Sequence, residues 1–372
     1  MDSKLREIID RVRAAAASGL PLRIRGGGTK DFYGEPRQGE LLDTRGLVGI
    51  VNYEPSELVV TVRAGTPLAE LEALLAEHGQ CLPFEPPHFG SGATVGGMVA
   101  SGLSGPARAS VGALRDYVLG AQLVNGRGEL LNFGGTVIKN VAGYDLSRVL
   151  AGSLGVLGLI SEVSLKVLPV APAEATLRFA DCAQADALRL LNAWGGQPWP
   201  LNASCWTDAP PGPTLWLRLR GAEAAVEAAC AHFGGERVDP ATAQRHWQGC
   251  REQTLPWFAA RGDDQCLWRL SVPQTAPVLA PGAGMAGAPL IEWHGGQRWI
   301  MAPAEAAAEL REAARAAGGH ATLFMAASAG RTDTTAPVPS RFEALSAPLA
   351  KIHLQLRHEF DPAGIFNKTA ES

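Results

Sequence analysis

The stretches Arg25-Gly26-Gly27-Gly28-Thr29 and Gly90-Ser91-Gly92-Ala93-Thr94-Val95-Gly96-Gly97 decide how this chain is read. Glycine has no Cβ and reaches positive φ at little cost, so a glycine run lets consecutive backbone N–H groups curl around an anion. Gly143-Tyr144-Asp145 and Gly152-Ser153-Leu154-Gly155-Val156-Leu157-Gly158 follow within the first 160 residues. One such loop suits any phosphate, or is an ordinary turn. Four imply a long ligand with a diphosphate in its middle.

Composition divides the chain outward from these loops. The first 170 residues hold 26 of the 43 glycines and all four tyrosines, whereas all nine tryptophans lie between Trp194 and Trp299. That shift puts a boundary at Leu168-Pro169-Val170-Ala171-Pro172 and suggests domains over 1-170 and 171-335, with a C-terminal segment, 336-372, packing back on the first. At 372 residues each domain can bury its own core. A hydrophobic share of 46% with 19% charged residues reads as soluble and globular, and a formal charge of -4 argues against a broad nucleic-acid face.

Cys81, Cys182, Cys205, Cys230, Cys250 and Cys266 include no C-x-x-C pair, so they read as reduced, buried thiols and no metal site is expected. The opening residues pattern as an amphipathic helix, with Leu5, Ile8, Ile9 and Val12 on one face, rather than a secretory h-region. The apolar stretch from Val149 to Ile160 falls short of the roughly 20 residues that span a bilayer. A cytoplasmic chain is expected, peripheral to the inner membrane only through partners.

Strands are expected at Leu22 to Arg25, Val48 to Tyr53, Glu57 to Arg63 and Leu159 to Leu168, with a hairpin around Asn125-Gly126-Arg127-Gly128. Thr66 reads as the N-cap of a helix with Pro67 at its first position. The second half alternates strands and helices as an α/β sandwich, with a final helix from Leu345 to Phe360 and no internal repeat.

Gly90-x-Gly92-x-x-x-Gly96 is one residue too long for a dinucleotide fingerprint and follows a proline-rich segment instead of a strand. Gly28-Thr29-Lys30 lacks the G-K-[ST] order of a P-loop. Over residues 20 to 170 the order of motifs resembles instead the PCMH-type FAD-binding domain of vanillyl-alcohol oxidase, D-lactate dehydrogenase and UDP-N-acetylmuramate dehydrogenase relatives. The resemblance implies an α+β chain: an FAD-binding domain of two α/β subdomains, then a ferredoxin-like α/β cap. By that resemblance Arg25, Gly26, Gly27, Gly28 and Thr29 hold the pyrophosphate, and the segment from Pro86 through Thr94, Val95, Gly96, Gly97 and Ser101 to Gly102 meets the flavin and ribityl chain. Gly112, Asp116, Gly155, Gly158 and Ile160 complete the cofactor contacts, and Gly143, Tyr144 and Asn367 join the same set; Lys139, just before the Gly143-Tyr144-Asp145 turn, is a candidate for stabilising negative charge at reduced flavin N1, with a surface lysine as the alternative.

Over nearly the whole chain the sequence is similar to the family of FAD-binding subunits of bacterial glycolate oxidases. The likeness runs through Val137-Ile138-Lys139-Asn140-Val141-Ala142-Gly143-Tyr144-Asp145-Leu146, Trp268-Arg269-Leu270-Ser271-Val272-Pro273, Trp293-His294-Gly295-Gly296-Gln297-Arg298-Trp299 and Phe360-Asp361-Pro362-Ala363-Gly364-Ile365-Phe366-Asn367. It implies oxidation of glycolate to glyoxylate, with a larger FAD subunit and an iron–sulfur subunit as partners. FAD is expected to be non-covalent, because the first loop has neither histidine nor cysteine and Cys81 and His88 read as structural.

Oxidising a 2-hydroxy acid requires a base for the hydroxyl proton and a cation for the carboxylate. Arg269 and Arg298, beside Trp268 and Trp299, are candidate carboxylate clamps, and His294 and His320 candidate bases; a salt-bridged strand arginine and a turn histidine are the structural alternatives. The clustered histidine metal motif of larger 2-hydroxy-acid dehydrogenase subunits has no counterpart, since His232, His246, His294 and His320 are far apart in sequence. Three roles stay open: a supporting flavoprotein subunit, a self-sufficient dehydrogenase of another hydroxy acid or alcohol, and a non-catalytic assembly subunit.

Overall fold

The computed structural model describes residues 2–135, 145–279, 287–328 and 339–369. They form two units. The first takes the chain up to Ser104, Ala113–Val170 and the residues from Ala344 onward; the second takes Gly105–Gly112 and Ala171–Glu343. Among the described residues no helix is long and apolar enough to cross a membrane.

The first unit opens with helix α1, Ser3–Ser18. The Asp2 carboxylate caps its start by accepting from the Lys4 N–H at 3.0 Å, and left-handed Gly19 closes its end. Leu5, Ile8, Ile9, Val12 and Ala15 give it one buried face, which packs on a parallel pair, β1 (Leu22–Arg25) and β2 (Glu40–Asp43), and on Ile365 and Phe366. β3 (Ile50–Glu54), β4 (Val59–Arg63), β6 (Val118–Val124), β7 (Leu130–Gly134) and β8 (Leu159–Lys166) form an antiparallel sheet in the order β3-β4-β8-β6-β7. A short pair, β5 (Gln80–Cys81) and β9 (Leu168–Pro169), lies apart from it.

The expected hairpin is β6–β7, and Asn125 Oδ1 fixes its turn by accepting from the N–H groups of Arg127 and Glu129. Helices α2 (Leu68–Glu77) and α3 (Val95–Ser101) cover the sheet, with Leu68, Leu71, Leu75, Val95, Met98 and Val99 in its core. One boundary moves: the cap of α2 is Pro67, and the Thr66 hydroxyl instead accepts from the Gly49 N–H at 2.9 Å. Phe360, ending the helix Ala347–Phe360, joins the same core.

The second unit is one eight-stranded antiparallel sheet. β10 (Ala173–Phe179), β11 (Leu201–Ala209), β12 (Gly212–Gly221) and β13 (Glu236–Arg237), with helices Gln184–Gly195 and Glu223–Phe233 between them, make a β-α-β-β-α-β unit with strand order β13-β10-β12-β11. That is the ferredoxin-like arrangement. β14 (Cys266–Ser271), β15 (Leu290–Glu292), β16 (Gln297–Ala302) and β17 (His320–Met325) repeat the order as β15-β16-β14-β17, with helix Ala307–Ala316 before the last strand. The two halves join where β11 pairs with β15. The sequence shows no such repeat because the halves share a strand order and not residues.

Candidate functional site

The first unit contains a cleft of about 730 Å³ built where the loop after β1 meets the loop before α3. The two loops touch backbone to backbone: a Cβ added at Gly27 would stand 1.5 Å from the Gly92 carbonyl oxygen, a position no side chain can share. Gly28 adopts φ +74°, and the Arg25 guanidinium fills the space where its Cβ would point. Among the described residues, the N–H groups of Gly26, Gly27, Gly28 and Thr29 find no protein acceptor. Four unspent amides in succession along a concave wall make a cradle for an anion.

Cations deepen that preference. Arg25, Lys30 and Arg37 line the cleft, against one carboxylate, Asp31, which Arg25 Nε meets at 2.6 Å. Burial, and the neighbouring Arg23 charge against a partial offset from Asp31, lower the Arg37 pKa below its ordinary value. Lys30 is held by the His88 carbonyl at 3.2 Å.

Of the residues singled out from sequence, Arg25, Gly26, Gly27, Gly28, Thr29, Thr94, Gly96, Gly97, Ser101, Gly155, Gly158, Ile160 and Asn367 line this cleft. Thr94 caps α3 by accepting from the Gly97 N–H at 3.2 Å. Others lie elsewhere. Val95 is fully buried in the sheet core, and Pro86 is buried outside the cleft lining. Gly102 packs on Gly152, and Asp116 accepts from the Ala113 N–H to close a turn. Gly112 ends the short helix Arg108–Val111 of the second unit. Lys139, Gly143 and Tyr144 lie outside the described residues. Sequence reading did not single out Ile24, Lys30, Asp31, Arg37, Thr44, Ala64, Ala100 and Leu154 as lining; Ala100 and Leu154 lay inside segments it quoted, Lys30 and Asp31 directly follow the glycine loop, and the others carried no signal.

In the second unit the candidate catalytic side chains are committed to structure. Arg298 is 1% exposed and gives its guanidinium to three backbone carbonyls, Gly295, Pro277 and Ala276, at 2.8–3.1 Å. No fork remains for a substrate carboxylate. Arg269, on β14, lies over the Phe324 ring at 5.5 Å, and Trp268 and Trp299 are core residues instead of pocket walls. His294 has left-handed backbone at φ +57° and hydrogen-bonds through both ring nitrogens, Nε2 to Ser110 at 2.9 Å and Nδ1 to Ser204 at 3.1 Å. Burial pushes its pKa down to about 4, which makes it a weak base. His320 is exposed at the start of β17, its pKa lowered by partial desolvation and then by Arg269.

Residues 3–134 match the family model of an FAD binding domain. The chain is 45% identical over 360 residues to glycolate oxidase subunit GlcE of Escherichia coli (strain K12), covering 97% of this chain and 95% of that one. The chain belongs to the GlcE family of FAD-binding proteins. A D-lactate dehydrogenase of Archaeoglobus fulgidus is 34% identical over 45% of this chain and 38% of its own length. Alkyldihydroxyacetonephosphate synthase, 15% identical, superposes with a TM-score of 0.65 over 97% of this chain and 75% of that one, a likeness of fold alone.

FAD is the cofactor of this family, and the cleft fits it. Its open amides and cations match a diphosphate.

Proposed function

We propose that this chain is the FAD-carrying subunit of a complex that oxidises glycolate to glyoxylate and passes the electrons to partner chains. The observation that carries the reading is the Gly27–Gly92 loop contact, which aligns the unpartnered amides of Gly26 to Thr29 along one wall, in a chain so similar to GlcE over almost its full length. Bound FAD supplies the two-electron acceptor. The protein's own part is to hold its diphosphate between that loop and the cations Arg25, Lys30 and Arg37. Thr94, Gly96, Gly97 and Ser101 shape the adjoining wall.

Arg298 and His294 are already occupied, which favours a subunit that depends on others over a self-sufficient dehydrogenase. The partners in this reading are a larger FAD subunit and an iron–sulfur subunit, in the cytoplasm. Leu345 precedes the helix Ala347–Phe360 and Leu349, Ile352 and Leu354 lie on it, all exposed, as a surface for a partner chain would be.

Purified protein tests the reading in two steps. The isolated chain is expected to carry dissociable FAD and to reduce a dye with glycolate feebly or not at all; coexpression with its partners is expected to restore glycolate-dependent reduction. A colourless chain that excess FAD cannot reconstitute sinks the cofactor assignment. Vigorous turnover by the chain alone sinks the dependent role.

A further inference from the structure

Cys205, His246 and Cys250 each offer one ligand atom, and these atoms lie within 4.8 Å of one another in the second unit. None belongs to the flavin cleft. His246 and Cys250 sit four residues apart on the helix Pro240–Glu252, a spacing that puts both on one face. Cys205 is on β11, and its cross-strand partner on β12 is Trp216, whose ring stacks on His246 at 3.9 Å with the planes 12° apart. The helical spacing brings Cys250 Sγ to 3.7 Å from His246 Nε2, and the stack seats that pair over Cys205. Both cysteines are buried and not joined in a disulfide, and His246 is half-buried.

We propose that Cys205, His246 and Cys250 form a metal site for a thiophilic divalent cation of the zinc class, tying the helix Pro240–Glu252 to the sheet. Two sulfurs and an imidazole are a donor set such ions select. Metal–ligand bonds of about 2.0–2.3 Å require the three atoms to draw together slightly, which side-chain rotation supplies. On binding, both S–H bonds break, two metal–sulfur bonds and one metal–nitrogen bond form, and two protons pass to solvent; nothing is oxidised or reduced. The doubly charged ion cancels the two thiolates, and the two buried charges that act on Cys250, Arg218 and Glu292, are of opposite sign and leave that balance near neutral. A fourth position stays open to water.

The test uses the full chain, reduced and stripped with chelator, then titrated with Co²⁺. One Co²⁺ per chain is expected to bind with a thiolate-to-metal charge-transfer band, Zn²⁺ is expected to displace it, and Zn²⁺ is expected to raise the melting temperature. Cys205→Ser and His246→Gln should each weaken binding roughly tenfold or more without changing flavin content. A wild-type chain with no charge-transfer band overturns the proposal whether or not the variants fold. So does an unchanged band in Cys205→Ser, or a disulfide joining Cys205 to Cys250 in the protein as isolated.

Discussion

Asn367 Oδ1 accepts a hydrogen bond from the Ile24 N–H at 2.8 Å, across 343 positions of sequence. Its Nδ2 donates to the Leu154 carbonyl at 2.7 Å, and its own N–H donates to the Leu22 carbonyl. One side chain, 1% exposed, therefore joins the strand entering the glycine loop to the Leu154-Gly155 wall of the cleft. Asparagine also tolerates the left-handed backbone at this position, φ +44°. Asn367→Ala is expected to cost about 2 kcal/mol, because it strands a buried donor and a buried acceptor, and to weaken FAD retention. Denaturant unfolding and flavin content after gel filtration check both.

Gly27→Ala should be worse for the cofactor than for the rest of the fold. The new methyl has no room against the Gly92 carbonyl, so the two loops must part, at a cost of about 1–3 kcal/mol. Purified G27A is expected to be colourless yet to keep its far-ultraviolet circular dichroism. Normal flavin content would show that this loop contact does not shape the site.

The buried imidazole of His294 makes stability depend on pH. Its folded pKa, about 4, lies below the ordinary 6.5, so between those values the unfolded chain takes up a proton that the folded chain does not. The stabilisation is full above about pH 6.5 and is lost as pH falls toward 4. Between pH 7 and pH 5 the wild type should lose about 2 kcal/mol more than His294→Asn, a substitution that keeps the left-handed turn. Urea midpoints across that range measure the difference.

For Arg298→Met the expected signature is structural. Three backbone carbonyls, those of buried Gly295 and Ala276 among them, lose their donor, so stability should fall by about 3 kcal/mol while flavin content at low temperature stays unchanged. The contrary result is a large rise in the glycolate KM of the assembled complex with no change in melting temperature. That would return Arg298 to the substrate.

Much of the first unit was legible because its signals are local. The Asn125 turn and the apolar spacing of Leu68, Leu71 and Leu75 each act within one or two turns of chain, whereas the Asp2 and Thr94 caps, equally local, were not read and the cap read at Thr66 falls on Pro67. The helix Pro240–Glu252 announced itself equally locally, with Asp239 capping it and Pro240 at its first position, and was passed over; with it went the juxtaposition of His246 and Cys250. Cys205 carried no signal at all, since β11 register alone sets it beside Trp216.

By itself the sequence determined that a domain for a long diphosphate ligand precedes an α/β half, because glycine conformations are written in neighbouring residues, and the resemblance of its motif order made that ligand a flavin. Only the tertiary structure decided what Asn367, His294 and Arg298 do. Their hydrogen-bond partners are fixed by which strands and loops meet, and sheet register brings together groups that no stretch of sequence places side by side.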